Sequence, residues 1–255
     1  GARGAARRGS VRANSRPPMS STASEPQSSS APQHVRRVAL HAVASGLTPL
    51  IPVPFLDEYA LRRVREQMVR SILRERSLSA TDRTVTVLAG LHPREGSRLQ
   101  QFASKAALFS LRLAWRKAYR RLATALWVKD CVDMASLSLH HGYLLQHALE
   151  RGDLTATTLT EDTARRVHSA IDAASKELDA RPVNQVLRRL FLGSRLLLDE
   201  LAKALVLWNG APRTPTQGEE QEVASLAERL AAAMWEERGY FQSLESLYAR
   251  HLQAR

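Results

Sequence analysis

The run from Val38 to Asp57, VALHAVASGLTPLIPVPFLD, restricts the fold more than any other stretch. It carries no formal charge before Asp57, directly follows Arg36 and Arg37, and contains Pro49, Pro52 and Pro54. From Val35 to Leu47 the apolar spacing suits a helix, and Gly46 offers a place to stop it. Each proline then removes a backbone N–H and biases the residue before it toward extended geometry, so a helix cannot continue through. Asp57 is placed to cap a new helix, and Glu58 adds negative charge at its positive end. The expectation is therefore helix, apolar elbow, helix. The elbow, Leu50-Ile51-Pro52-Val53-Pro54-Phe55, is too apolar for a solvated loop, so either the protein's own core or a bilayer surface covers it. About twenty uncharged residues approach the length that spans hydrocarbon. His41, Ser45, Thr48 and the backbone groups freed by three prolines argue against spanning.

The elements Gly46-x-x-Pro49-x-x-Pro52-x-Pro54-x-x-Asp57 and Gln67-Met68-Val69-x-x-Ile72-Leu73 resemble a bacterial helical family, the YcjF-like inner-membrane proteins, and more loosely the EcsC-type proteins. In that family a proline elbow precedes a helix with an apolar-Met-apolar core that often closes in a glycine. This chain has Ser77 at that place and one extra proline in its elbow. The resemblance covers a small part of the chain and implies a helical, membrane-associated bacterial protein without known chemistry.

Composition agrees with helices. Hydrophobic residues make up 44% of 255 residues, enough to build a core, while only 5% are aromatic, which suits Leu/Ala helix packing better than a sandwich of sheets. The formal net charge of +12 invites nucleic acid or anionic lipid as a partner. Lysine occurs only at Lys105, Lys117, Lys129, Lys176 and Lys203, however, and richness in Arg, Ala and Leu is also what a GC-rich genome writes. Nucleic acid is not expected, because the basic residues lack the interleaved aromatics on which bases stack. The single Cys131 excludes an internal disulfide and fits a reducing compartment. No phosphate loop, dinucleotide fingerprint, nucleophile elbow or zinc cysteine set occurs, and neither an enzymatic activity nor a cofactor is expected.

Residues 1–33 read as a disordered tail, first basic and glycine-rich, then rich in Ser, Pro and Gln, with Met19 as a candidate translation start. A helical domain over 34–255 follows, with 34–151 and 158–255 as candidate subdomains. After the elbow, Ala60, Val64, Met68 and Ile72 stripe one face of a helix whose Arg62, Arg63, Arg70 and Arg74 point elsewhere. Ser79 to Asp82 restarts a short helix to about Leu91, which His92-Pro93 breaks. A long helical pattern from Ser97 to His141 should bend between Phe102 and Ala125. It carries the densest basic face, Arg112, Arg116, Lys117, Arg120 and Arg121, with Trp115 and Tyr119 placed for a headgroup boundary.

One constellation resembles a site. Asp133, His140 and His147 recur at heptad spacing with Ser136 between them, and Asp130 and His141 lie on a neighbouring face. Metal pairs on one helix usually stand three or four residues apart, and seven residues separate side chains by about 10 Å. Gly142 should also loosen the helix there. A polar seam inside a bundle is the expected reading, with a metal-dependent hydrolase as the remote alternative. Cys131, beside Asp130 and Asp133, is a poor nucleophile because acidic neighbours raise a thiol pKa.

Toward the C-terminus, Thr158-Leu-Thr-Glu161 reads as a capping box opening a helix to about Leu178, with Ala164, Val167, Ile171 and Leu178 inward. Pro182 opens another helix, with a seam of Leu187, Phe191, Ser194, Leu198, Leu201, Leu205 and Trp208, ended by Asn209-Gly210. A linker over 211–218 precedes two final helices with a joint at Gly239; Val223, Leu226, Leu230 and Met234 stripe the first, and Phe241, Leu244, Tyr248 and the nearby Leu252 the second.

The fold expected is an all-α bundle of seven to nine helices. The function expected is peripheral association with the cytoplasmic face of a bacterial inner membrane, through Leu50, Ile51, Pro52, Pro54 and Phe55 with Arg112, Arg116 and Arg120, against anionic lipid. The alternative is a soluble adaptor seating a protein partner on the same elbow.

Overall fold

Small residues let the two central helices meet at short range. The computed structural model describes residues 31–50, 56–91, 120–194 and 217–254. Among them the fold is all-α, with eight α-helices and no strand. They are α1 (Gln33–Leu47), α2 (Leu56–Glu75), α3 (Asp82–Leu88), α4 (Arg120–Arg151), α5 (Glu161–Glu177), α6 (Arg181–Gly193), α7 (Gln217–Glu236) and α8 (Arg238–Gln253), with a 3₁₀ turn Thr48–Leu50 after α1. The 32-residue α4 is the hub, packing against α1, α2, α5, α6 and α8, while α1 is wedged between α4 and α7.

On α1, Val35, Ala39, Ala42 and Gly46 recur at i, i+4, i+7 and i+11; on α4, Cys131, Ala135, Ser138 and Gly142 repeat the same spacing, and all eight are buried. These stripes give each helix a flat side on which a neighbour approaches closely, because helix separation is set by the side chains at the contact. A Cβ added at Gly46 would lie 2.6 Å from Phe191 Cζ and 2.9 Å from both Ala135 Cβ and the Cys131 carbonyl. At Gly142 it would lie 2.8 Å from Met68 Sδ and 3.0 Å from Val38 Cγ1. The C-terminal end of α1 thus meets the first half of α4, and Val38 meets its second half, so the two run antiparallel.

This packing corrects two expectations. Gly46 does not stop α1: it is helical and buried, and α1 passes through it to Leu47. The chain then tightens into the 3₁₀ turn, which accommodates Pro49, and the Thr48 hydroxyl donates to the Ser45 carbonyl at 2.8 Å. Nor does Gly142 loosen α4, which runs unbroken to Arg151 because tertiary contacts outweigh the propensity cost of about 1 kcal/mol.

Three helix ends use left-handed residues. Ser77 (φ 55°), Gly90 (φ 68°) and Gly152 (φ 82°) end α2, α3 and α4. Each is followed by a residue whose N–H reaches back five positions: Leu78 to Leu73, Leu91 to Thr86 and Asp153 to Ala148, at 2.9–3.0 Å. Ser77 therefore occupies a position where glycine would relieve the cost of positive φ. At the opposite ends, Thr81 caps α3 and Thr160 caps α5, each accepting from a backbone N–H three residues on at 3.2 Å. The α5 cap is thus Thr160 and not the expected Thr158, which instead closes a turn with Thr155.

Other boundaries also shift. Ala31 is buried and accepts from Arg36 Nε at 3.0 Å, so residues 31–33 belong to the helical unit Ala31–Arg255 and not to the tail. Leu56 already belongs to α2, which puts Asp57 inside the helix and not at its cap. The helix opened by Pro182 ends at Gly193, not near Trp208: Ser194 leaves helical geometry (φ −95°, ψ 59°) and is buried, its hydroxyl donating to Glu222. Gln217 and Gly218, expected in a linker, start α7. The joint between the last two helices is Glu237, and Gly239 lies in the first turn of α8. The tail over 1–30, elbow residues 51–55, the stretch 92–119 with its expected bend, and Leu198 to Trp208 lie outside the described residues.

The glycine packing has a direct test. Gly46→Ala should lower stability by about 1–3 kcal/mol, because overpacking against the Cys131 carbonyl outweighs the helix propensity gained. Gly239→Ala, whose Cβ meets nothing, should raise stability by up to about 1 kcal/mol. Urea denaturation followed by circular dichroism measures both, and equal effects at the two glycines would refute the close crossing.

Candidate functional site

The polar residues of α4 divide into two groups on different faces. The first meets α8. His140, 1% exposed, shares a 2.7 Å hydrogen bond between its Nε2 and Tyr240 Oη. Tyr143 Oη donates to Glu245 Oε1 at 2.6 Å, and His147 Nδ1 lies 3.6 Å from the same carboxylate. Tyr248, fully buried, donates to Asp153 Oδ2 at 3.0 Å, and Arg151 Nε closes on that carboxylate at 3.2 Å. Tyr143 also stacks on Phe241, ring centroids 4.5 Å apart. Burial and their carboxylate partners push the Tyr143 and Tyr248 phenols well above their ordinary range, and burial lowers His140 to about 4. Neutral imidazole, neutral phenols and paired carboxylates make this seam a clasp holding α8 to α4.

The sequence-derived constellation is therefore only partly assembled. His140 and His147 both face α8 but bind different partners, Tyr240 and Glu245. Asp133 is apart from them, half exposed and ion-paired with Lys129 at 2.6 Å. Among the described residues no three His, Cys, Asp or Glu side chains come together in a way that could hold a metal ion. Cys131 is buried at the α1–α4 contact, and burial, with Asp130 adding to it, pushes its thiol up to about 12.

The second group lies where α2, α3, α4 and α5 meet. His141 hydrogen-bonds the backbone of Leu88, and its ring stands 5.5 Å from that of His168. His168 lies against Gly90, where any Cβ would come within 2.5 Å of His168 Cε1. The charge of Arg65, from α2, opposes a positive charge on His141. Burial first, then His168 and Arg65, depress His141 to about 3. Burial also lowers Arg65. Sequence reading passed over Arg65 and His168. Their signal was positional: Arg65 sits between the inward Val64 and Met68, and His168 follows the inward Val167.

Of the expected contact residues, Leu50 ends the 3₁₀ turn and Arg120 begins α4. Ile51, Pro52, Pro54, Phe55, Arg112 and Arg116 lie outside the described residues. What the structure adds is the exposed face of α2 immediately beyond the elbow: Tyr59, Arg62, Arg63, Gln67, Arg70 and Arg74, with Tyr59 58% exposed. Arg63 pairs loosely with Glu66 (3.8 Å) and Arg70 with the exposed Asp82 (2.8 Å); Arg62 and Arg74 have no carboxylate partner among the described residues. No described helix is long and apolar enough to cross a membrane. No protein-family model, curated protein or solved structure matches the chain.

The histidines make the fold acid-sensitive. Both folded-state pKa values, about 4 for His140 and about 3 for His141, lie below the ordinary value near 6.5, so the fold favours the neutral rings. Their contribution is complete above pH 6.5 and is lost as pH falls from there toward 4, with His140 accounting for about 3 kcal/mol at most. The urea midpoint should drop steeply between pH 7 and pH 4.5, and less so in His140→Gln. A midpoint with the same pH slope in both proteins would contradict a buried neutral His140.

Proposed function

We propose that this chain is a non-enzymatic helical protein that sits on the anionic cytoplasmic surface of a bacterial membrane without crossing it. The observation that carries this reading is the α2 face: an exposed tyrosine next to an apolar elbow, followed along the same helix by Arg62, Arg63, Arg70 and Arg74. An aromatic ring with a polar tip suits the headgroup boundary, and a basic face suits anionic lipid. The exposed Arg63 stands 3.8 Å from a mostly buried Glu66 and the Arg70–Asp82 pair is solvent-exposed, so both arginines are held only weakly and headgroup phosphates can replace their carboxylate partners. The net charge of +12 and the elbow's resemblance to YcjF-like inner-membrane proteins favour the same reading. The sequence expectation that Arg112, Arg116 and Arg120 meet anionic lipid points the same way.

Each basic residue at such a surface contributes about 1 kcal/mol, so three reversals on one face outweigh any single contact. Co-sedimentation should show binding to phosphatidylserine vesicles but not to neutral phosphatidylcholine, weakened by salt through screening. Arg62→Glu, Arg63→Glu and Arg74→Glu together should lower the affinity by about 100-fold or more without unfolding the chain. Leu50→Asp with Phe55→Asp should weaken binding in a manner that salt does not mimic. Vesicle binding that ignores both lipid charge and the arginine reversals would remove the membrane and leave the elbow as a seat for a protein partner.

A further inference from the structure

The end of α6 comes to the end of the bundle where the elbow begins. Phe191, near the end of α6, packs on Gly46, near the end of α1: a Cβ added there would stand 2.6 Å from its Cζ. The start of α2 lies at this end too, because α2 touches the 3₁₀ turn that follows α1, while its last residue, Glu75, pairs with Arg37 near the start of α1. On α6 itself the inward Val183, Leu187, Leu190 and Phe191 are buried, and the outward face carries the exposed Arg188 and Arg189. Leu192 lies four residues beyond Arg188 and three beyond Arg189, on the same face, and is 45% exposed. Arg229 of α7, also exposed, stands beside them, its Nη2 lying 3.9 Å from where a Cβ on Gly193 would be. Arg188, Arg189 and Arg229 have no carboxylate partner among the described residues. The nearby acids are taken: Glu222 accepts from Ser194, and Glu228 pairs with Arg36 at 3.3 Å. A lone exposed leucine is ordinary. One set among three unpaired arginines is an apolar tip with a basic rim, the combination that an anionic lipid surface takes.

We infer that the C-terminal end of α6, Arg188, Arg189 and Leu192, together with Arg229 of α7, is a second site at which the protein meets anionic lipid. The inference rests on the membrane reading above and adds to it a contact that the α2 face does not supply. Leu192 enters the acyl boundary, and the guanidinium forks meet headgroup phosphates. Continuity favours lipid over another occupant, because the α6 end and the first turns of α2 flank the same apolar elbow. Two contacts carried by one folded unit reinforce each other. Once the α2 face is held, the α6 end binds without a further loss of translational freedom.

Co-sedimentation of the full chain with phosphatidylserine vesicles tests the second contact. Arg188→Glu with Arg189→Glu should weaken binding about tenfold or more. Leu192→Gln, which changes no charge, should weaken it severalfold, and that deficit should persist at salt that screens the arginines. The control is Arg166→Glu with Lys176→Glu, the same change of net charge on α5, which packs on α3, α4 and α8. It should weaken binding less than about threefold, because exposed charges more than about 10 Å from the lipid are largely screened. Should the double reversal on α6 fail to fold by circular dichroism, Arg188→Gln with Arg189→Gln should still weaken binding severalfold. The two readings fail differently. Native protein that ignores phosphatidylserine vesicles ends the membrane reading and the second contact together. Native protein that binds them, loses them on reversal of Arg62, Arg63 and Arg74, and responds to the α6 variants no more than to the α5 control overturns the second contact alone. If the α6 end instead seats a second copy of the chain, Leu192→Gln turns a dimer into a monomer in sedimentation velocity and leaves vesicle binding unchanged, which overturns it as well.

Discussion

The close contact of α1 with α4 is the constraint on which the rest of the described structure depends. With Gly46 against the Cys131 carbonyl and Gly142 against Val38, the two helices approach closely and without choice of register. Close-packed interiors do not yield to added volume, so this contact fixes α4, and α4 in turn presents separate faces to α2, α5, α6 and α8. Phe191 of α6 fills the space beside Gly46, tying a third helix to the same point. The orientation of α2, and with it the exposed basic stripe, follows from Met68 packing onto Gly142.

That scaffold holds its polar groups under two regimes. Against α8, phenols, imidazoles and carboxylates find one another and the seam is matched. Against α2 and α5, the same helix places His141 beside a cation and a second imidazole. Adjacent residues on one helix face different neighbours, so His140 is satisfied by Tyr240 while Nε2 of His141 is not satisfied. The first arrangement is a structural clasp; the second leaves buried nitrogens of Arg65 and His141 without hydrogen-bond partners.

Much of the fold was legible because helical periodicity is a local signal. The inward stripes Met68/Ile72, Ala164/Val167/Ile171, Leu226/Leu230/Met234 and Phe241/Leu244/Tyr248 are buried as the spacing implies. What misled was glycine read as a stop. Gly46 and Gly142 lie mid-helix because a facing backbone or side chain needs the room, and that partner is over eighty residues away from Gly46. The capping box failed for a similar reason: Thr158 and Thr160 both precede an acidic residue, and only the turn with Thr155 decides between them. Heptad spacing grouped Asp133 with His140 and His147, but spacing along one helix says nothing of the partner helix. Tyr240 and Glu245 on α8 claim the histidines, and Lys129 claims the aspartate. The approach of Arg65 and His168 to His141 was invisible because the three come from different helices.

The central claim is that a rigid α1–α4 core carries a basic surface that meets lipid without the core opening. Hydrogen exchange with and without phosphatidylserine vesicles tests it most directly, since it reports on each helix separately. The account predicts slowed exchange over the first turns of α2, Leu56 to Arg63, with the amides of Val38 to Gly46 and Cys131 to Gln146 equally protected in both conditions. Faster exchange in α1 or α4 on adding vesicles, or no change at the start of α2, would contradict it.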